Sequence, residues 1–418
     1  MKLNKIKKYD VIVVGGGAAG LMAAGTAAES GAKVLLLEKM KRPGRKLRIT
    51  GKGRCNLTNI AEISDFICHI GPDGRFLRQA FSRFFSEDLI EFFNAIGIKT
   101  IIERGGRVFP SSEKAQDIVD CMVNWVDKSG VIIKCSSSVK NLKIEQNSIK
   151  SIELSNGKIF NAGSVIIATG GASYPDTGST GDGYRLAKTA GHTIIPIRPA
   201  LVPLETSGNV AAKLEGLNLK NISVSVWKDR KKIAERFGEM VFMQYGISGP
   251  VILSLSRQLG KILENGQRLI FSIDLKPALE YKKLDKRLIR DINDFGNLKF
   301  REILRKWLPQ KMIPVFIDQL KISSEKVCHQ LNSKERKKIL LLLKEFKLEI
   351  TGIRGFDEAI ITAGGVNLKE IDPKTMKSKF VKNLYFTGEV LDLDADTGGY
   401  NLQIAFSTGW LAGKSVIC

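Results

Sequence analysis

Residues 11–38, VIVVGGGAAGLMAAGTAAESGAKVLLLE, constrain this chain more than any other stretch. Four β-branched apolar residues at 11–14 read as a buried parallel strand, and an alanine-rich helix follows at once. Between them Gly15, Gly17 and Gly20 fall at the G-x-G-x-x-G spacing. The first glycine permits a tight turn, the second lets the backbone approach a pyrophosphate, and the third lets helix and strand pack closely. The helix N-terminus, with Ala18 and Ala19 in its first turn, offers N–H groups and a positive dipole to the phosphates. Residues 34–37 form a second strand ending at Glu38, whose carboxylate can accept both hydroxyls of an adenosine ribose and would repel a 2′-phosphate. Glycines alone would say little; strand, glycines, helix, second strand and terminal acid in register specify a dinucleotide site.

A chain of 418 residues can bury a sizeable core and is expected to divide into two or three domains of α/β class. Near Pro196 the texture changes, with prolines at 196, 199 and 203 and alternating strands at 222–227 and 269–273. The expected division is a discontinuous nucleotide-binding domain over 1–195 and 351–418 and an inserted domain over 196–350. That insert reads as β-rich over 196–275 and as basic helices over 276–350, with apolar steps of three and four at 282–308 and 334–346. The basic N-terminal run is followed by only four apolar residues, and no later run is long enough to span a bilayer, so neither a signal peptide nor a membrane helix is expected. Cysteines at 55, 68, 121, 135, 328 and 418 form no C-x-x-C, and His69, His192 and His329 are far apart. That pattern argues against a metal site and a disulfide framework and for a cytoplasmic protein with reduced thiols.

The formal charge is +22 and it is clustered. Residues 39–54 carry eight basic side chains and no acid, and residues 276–347 carry 19 basic against 9 acidic. A polyanion partner is one explanation, and a lysine-rich genome with no such partner is the other.

The loop at 39–59, KMKRPGRKLRITGKGRCNLTN, leaves the second strand on the carboxyl edge of the sheet, where ligands sit, and so should run beside the cofactor's reactive end. Residues 76–97 read as helix with Ser86 as N-cap, and strands at 131–134, 138–144 and 149–154 form a meander with a hairpin signal at Asn156-Gly157. A buried strand at 165–168 runs into Thr169 and Gly170, a second close approach of backbone to phosphate or ribose. A third comes where residues 384–386 end in Gly388 and Glu389, before Gly399, Tyr400 and Asn401 open a closing helix. A second helix N-terminus suits a flavin, whose N1–C2=O region becomes negative on reduction.

The fingerprint at 11–38, GRKLRITGKGRCNLTN at 44–59, ATGG and TGDGY between 168 and 184, and LYFTGEVLDLDADTGGYNLQIAFSTGWLAG at 384–413 resemble the BaiN/YhiN-like flavoproteins over the whole chain. That family lies within the group of FAD proteins that includes the fumarate reductase flavoprotein. The resemblance implies noncovalent FAD in a split, Rossmann-like three-layer ββα domain, with the inserted domain covering the flavin. It places Gly15, Gly17, Gly20 and Glu38 on the ADP half, and Thr50, Gly51, Gly53, Arg54, Cys55 and Asn56 along the flavin. Gly388, Glu389, Gly399, Tyr400 and Asn401 would hold the pyrophosphate, ribityl and pyrimidine side. Lys39 and Lys46 are further candidate cofactor contacts in the basic loop. No histidine lies between 39 and 59 to attach FAD covalently.

Members of such a family reduce conjugated double bonds of bile acids, oxidise aminoacetone-type amines, or reduce a uridine of large-subunit ribosomal RNA to dihydrouridine. Each passes a hydride between flavin N5 and a carbon held over the ring. Reduction also needs a proton, and Cys55, Lys46, Arg54 and Tyr400 are the candidates; a thiol among cations would ionise easily and keep a proton available near neutral pH. The alternative for Cys55 is a small packing residue. His192, after Gly191, reads as a cap or packing residue, and the Cys-His pairs at 68–69 and 328–329 as coincidence. With no second G-x-G-x-x-G, NAD(P)H would meet the flavin only transiently. The expected substrate is ribosomal RNA or its precursor, with a small molecule as the alternative and a flavin-containing binding protein as a third reading.

Overall fold

The computed structural model describes residues 8–417; the basic run at 1–7 and Cys418 lie outside the described residues. The chain forms two compact units, one from the chain up to Pro199 together with Phe356–Cys418 and the other from Ala200–Gly355. Each has its own apolar core.

The first unit is built on β1 (Lys8–Val14), α1 (Ala18–Glu29) and β2 (Val34–Leu37), with β1 and β2 parallel and Val11 opposite Val34. Residues 11–14 and all four residues of β2 are buried without alternation, as a parallel strand covered on both faces requires. A short helix, α2 (Arg45–Ile49), follows β2, and α3 (Ala115–Lys128) leads to β3 (Ile132–Lys134), which pairs with β2. β4 (Val139–Glu145), β5 (Ser148–Leu154) and β6 (Ile159–Ile167) form the antiparallel meander, turned at Gly157, whose N–H donates to Leu154 O. β6 serves two ladders: residues 159–161 pair with β5, while 165–167 pair in parallel with β7 (Leu384–Phe386). Its other edge lies along β1, so β6 stands between the late strand and the early ones.

The closing helix, α4 (Tyr400–Ser415), packs on α1 through glycines. A Cβ at Gly409 would lie 2.4 Å from Ala19 O, and one at Gly413 would lie 2.7 Å from Ala23 O. Contacts advance in the same direction along both helices, so α1 and α4 run parallel. Residues 72–95 are not one helix but a 3-10 turn and two helical pieces, Arg78–Phe81 and Ser86–Ala95. Ser86 is not the N-cap: Phe85 holds that position and donates its N–H to Asp88 Oδ2 at 2.7 Å, while Ser86 is buried.

In the second unit six strands close a barrel, in the order Leu204–Thr206, Gly246–Ser248, Lys231–Met243, Asn218–Lys228, Leu269–Asp274 and Phe346–Ile353. The expected split at 275 into a β part and a helical part is therefore corrected. Phe346–Ile353 returns after the helices to pair with both Leu269–Asp274 and Leu204–Thr206, which makes the helices an excursion between barrel strands. The helical stretch at 282–308 is interrupted, as Tyr281–Asp294 and Phe300–Trp307. Leu284, Leu288, Ile292, Phe300, Ile303, Leu304 and Trp307 bury the apolar stripes that the spacing marks.

Candidate cofactor and active site

The glycine turn is shaped by close backbone contacts. Gly15 has φ +104°, and a Cβ there would sit 2.5 Å from Ala168 O and 2.9 Å from Thr169 Cα, which brings the Thr169–Gly170 turn against the fingerprint. A Cβ at Gly20 would sit 1.9 Å from Gly15 O. Gly17, by contrast, has nothing within 4 Å of its Cβ direction and caps α1 with no side-chain bond, leaving open space before the N–H groups of Ala18 and Ala19. Glu38 accepts from Gly16 N at 2.8 Å and Met40 N at 2.7 Å, so its carboxylate is held at the turn. Burial pushes its carboxyl above the usual range against the pull of those N–H groups.

The basic loop is less free than its composition suggests. Lys39 Nζ pairs with Asp182 Oδ2 at 2.8 Å. Lys46 Nζ pairs with Glu389 Oε2 at 2.7 Å and also meets Ser173, so it is not the unpaired cation expected of a catalytic acid. The same Glu389 carboxylate accepts from Ser173 Oγ at 2.9 Å and Thr362 N at 2.8 Å. Arg54 pairs with Glu103 and with Glu113 at 2.6 Å and lies over the Phe109 ring at 4.3 Å, while its buried Nε has no partner among the described residues. Thr50 Oγ1 donates to Lys46 O at 3.0 Å, and Gly51 and Gly53 complete a turn closed by Cys55 N donating to Thr50 O.

The expectation of an ionised Cys55 is corrected. Its side chain is fully buried in the apolar core, and burial pushes the thiol up rather than down. Its burial agrees with the alternative of a small packing residue. In the native protein it is expected to resist iodoacetamide at pH 8 while the exposed Cys68 is alkylated. Peptide mass spectrometry of native against unfolded protein checks this, and rapid native labelling of Cys55 would reverse the assignment.

Residues 55–59 brace the turn that opens α4. A Cβ at Gly399 would lie 2.3 Å from Thr58 O, and Asn59 Nδ2 donates to Gly398 O at 3.1 Å. With its amide turned to suit its neighbours, Asn56 accepts from Gly399 N at 3.0 Å and donates to Thr58 O at 3.0 Å. Asn401 accepts from Ala395 N and donates to Ala395 O, both at 2.9 Å, which fixes the loop before the helix. The Tyr400 ring is buried edge-on to Phe66 and stacked on His69 at 4.3 Å, and burial raises its hydroxyl pKa. His69 Nδ1 in turn lies 3.1 Å from Asp396 Oδ2. No spacing signal in the sequence marks His69, since its partners Asp396 and Tyr400 come from the far end of the chain. His192 is held by Glu370 at 3.0 Å and Ser378 at 2.8 Å, and burial lowers its pKa against the pull of Glu370, as befits a packing residue.

The parallel helices set the scale of the site. Ala19 is the second residue of α1 and lies against Gly409, the tenth of α4, so α4 begins eight residues further forward, about 12 Å at the helical rise. A Cβ at Gly388 would lie 2.8 Å from Ala19 Cβ, which puts the turn after β7 at the first turn of α1. Thr387 Oγ1 beside it is buried without a partner among the described residues. Two helix N-termini pointing the same way, both lacking a side-chain cap, suit a ligand with a pyrophosphate near one end and an electron-rich ring near the other. With Glu38 at the ribose end, the residues fit FAD. Among the described residues no group of His, Cys, Asp and Glu could hold a metal, and no helix is long and apolar enough to cross a membrane.

The family profile described as HI0933-like protein Rossmann domain matches residues 9–415. The 3-dehydro-bile acid delta(4,6)-reductase of Clostridium scindens is 34% identical over 96% of this chain and 98% of its own. The ribosomal RNA dihydrouridine synthase of Escherichia coli is 29% identical over 99% of both chains. Among solved structures, 3-ketosteroid delta1-dehydrogenase from Sterolibacterium denitrificans shares the fold, with TM-score 0.52 at 12% identity over 98% of this chain and 99% of its own. Fingerprint, paired helix N-termini and a family match spanning almost the whole sequence agree, and the chain belongs to the HI0933-like family of FAD-dependent oxidoreductases.

Proposed function

We propose that this protein reduces an activated C=C bond, and that its substrate is a uridine of large-subunit ribosomal RNA or its precursor, converted to dihydrouridine in the cytoplasm. Bound FAD would supply the hydride. The α1 N-terminus with Gly15, Gly17 and Gly20 would hold the pyrophosphate, and Glu38 the ribose. The α4 N-terminus at Gly399 would favour negative charge on the pyrimidine side, with Asn56 and Asn401 keeping that turn rigid. NAD(P)H is the proposed donor, meeting the flavin transiently.

One observation carries the RNA reading. The packed helices Tyr281–Asp294 and Ser333–Lys344 present Lys282, Lys283, Lys286, Lys334, Lys337 and Lys338 exposed, and none of these six makes an ion pair among the described residues. Elsewhere many cations are matched by carboxylates, so this surface concentrates unneutralised charge suited to phosphates. The name of the Escherichia coli relative supports the same reading. The target base would have to be unstacked to reach a flavin. A small conjugated enone is the second reading, favoured by the 34% identity to the bile acid reductase.

Purified protein with FAD, NADH or NADPH and ribosomal RNA from a strain lacking the gene is expected to form dihydrouridine at a site that the strain has lost. An unchanged modification map in that strain would end the RNA reading. Changing the six lysines to serine is expected to weaken RNA binding at least about tenfold at moderate salt and to flatten its salt dependence, with FAD content unaltered. A filter-binding titration over salt concentration measures both.

A further inference from the structure

We propose that the outward face of the barrel between Phe237 and Trp227 is a stacking platform for unstacked bases of single-stranded RNA; this rests on the RNA reading above and adds a second surface to it. Along Asn218–Lys228, Ile222, Val224 and Val226 are buried in the barrel, so Ser223, Ser225 and Trp227 point outward. Lys231–Met243 runs antiparallel beside that strand, with Phe237 opposite Ser223, Glu235 opposite Ser225 and Lys232 opposite Trp227. The outward pairs are thus ring and serine, acid and serine, lysine and ring. Phe237 is 63% exposed and Trp227 37%, and the exposed Ile270 of the next strand stands opposite Trp227. A register shift at Trp227 adds Ile233 to the facing strand, and a bulge of this kind re-aims the side chains around it.

Two observations favour bases over an apolar protein partner. The floor between the rings is polar: Ser223 Oγ and Ser225 Oγ donate to Glu235 Oε1 at 3.0 and 3.3 Å, and Lys232 Nζ donates to Glu235 Oε2 at 2.8 Å. Apolar surface laid over that floor would strip the carboxylate of water with nothing in return. A nucleobase covers a ring with its face while its edge carries donors and acceptors for such groups. The second observation is charge. The turn that joins the two strands reads Lys-Asp-Arg-Lys, and Lys228, Arg230 and Lys231 form no ion pair among the described residues. Cations for the backbone beside rings for the bases is how a single strand is held without regard to its sequence. Ser223, which marks the Phe237 end, lies four residues from Trp227, about 13 Å at the strand rise, so each ring takes a base of its own. A duplex keeps its bases stacked on one another and has no such faces to offer.

The test measures binding by full-length protein, with no turnover, of oligouridylate, of the same strand annealed to oligoadenylate, and of ribosomal RNA from the strain lacking the gene. Phe237→Ala and Trp227→Ala are each expected to weaken binding of the single strand at least about fivefold and to leave the weaker duplex binding unchanged. The slope of log affinity against log salt should keep its wild-type value in both, because no phosphate contact is lost. Arg230→Ser combined with Lys231→Ser should instead make that slope shallower. Phe237→Tyr retains a ring and should retain the affinity, and thermal unfolding of Phe237→Ala should match wild type. Wild-type affinity for the single strand in both alanine variants, alongside wild-type protein that binds ribosomal RNA, overturns the inference alone. A dimer in sedimentation that Phe237→Ala dissolves while RNA affinity holds gives the face to a second copy and overturns it as well. Wild-type protein that binds none of these RNAs overturns the RNA reading and this inference with it.

Discussion

Gly20→Ala is expected to yield protein without FAD. The added methyl would sit 1.9 Å from Gly15 O and 3.3 Å from Ala168 Cβ, and the nearer obstacle is backbone that cannot rotate away. To reach an ordinary contact, α1 and the end of β1 must separate by more than about 1 Å, which moves the helix N–H groups off the phosphates. Displacement on that scale costs on the order of 100-fold in a positioned site, and the overpacking itself about 1–3 kcal/mol of stability. The ratio of flavin to protein absorbance after gel filtration reads the first effect and thermal unfolding the second. Gly17→Ala is the control: its methyl meets nothing within 4 Å, so the unloaded protein should keep its stability while FAD retention falls. A yellow Gly20→Ala protein of wild-type stability would contradict the packing described for the turn.

Glu389→Ala is expected to lower unfolding free energy by roughly 2–4 kcal/mol, because one carboxylate serves Lys46, Ser173 and Thr362 N together. Side-chain exposures of 23% for Lys46 and 20% for Glu389 put the pair between a surface bridge and a buried one, which sets the range. Removing the acid leaves an ammonium and a backbone N–H without their acceptor. Changing both residues to methionine should therefore cost less than the sum of the single changes, since no orphaned charge remains. Urea unfolding of the four-member cycle gives the coupling; additive effects would show that the pair is solvated.

The first strands and α1 are legible in sequence because propensity, period and glycine spacing point the same way there. What the sequence hides is pairing at a distance. Lys46 and Glu389 stand 343 residues apart, so the loop looks like a free cluster of cations when its key members already have partners. The same holds for Cys55, whose neighbours in sequence are cations while the space around its thiol is apolar core. The barrel was hidden for a similar reason. Leu204–Thr206 and Gly246–Ser248 are three residues each, too short to show a period, and closure depends on Phe346–Ile353 after a long helical excursion. His69 is legible only once the end of the chain folds back and sets Asp396 beside it.

The position of β7 and α4 late in the chain has a consequence for how the protein is made. While a ribosome is still adding residues, the edge of β6 at 165–167 has no parallel neighbour, and the small-residue face of α1 is bare. Ala200–Gly355 is contiguous and has all its barrel strands in hand well before then. The nascent chain thus carries a complete barrel in one unit while the sheet of the other still has an open edge, the kind of surface that chaperones cover. The N-terminus of α4 joins the cofactor site only when the chain is all but finished, so that site is the last part of the protein to be completed.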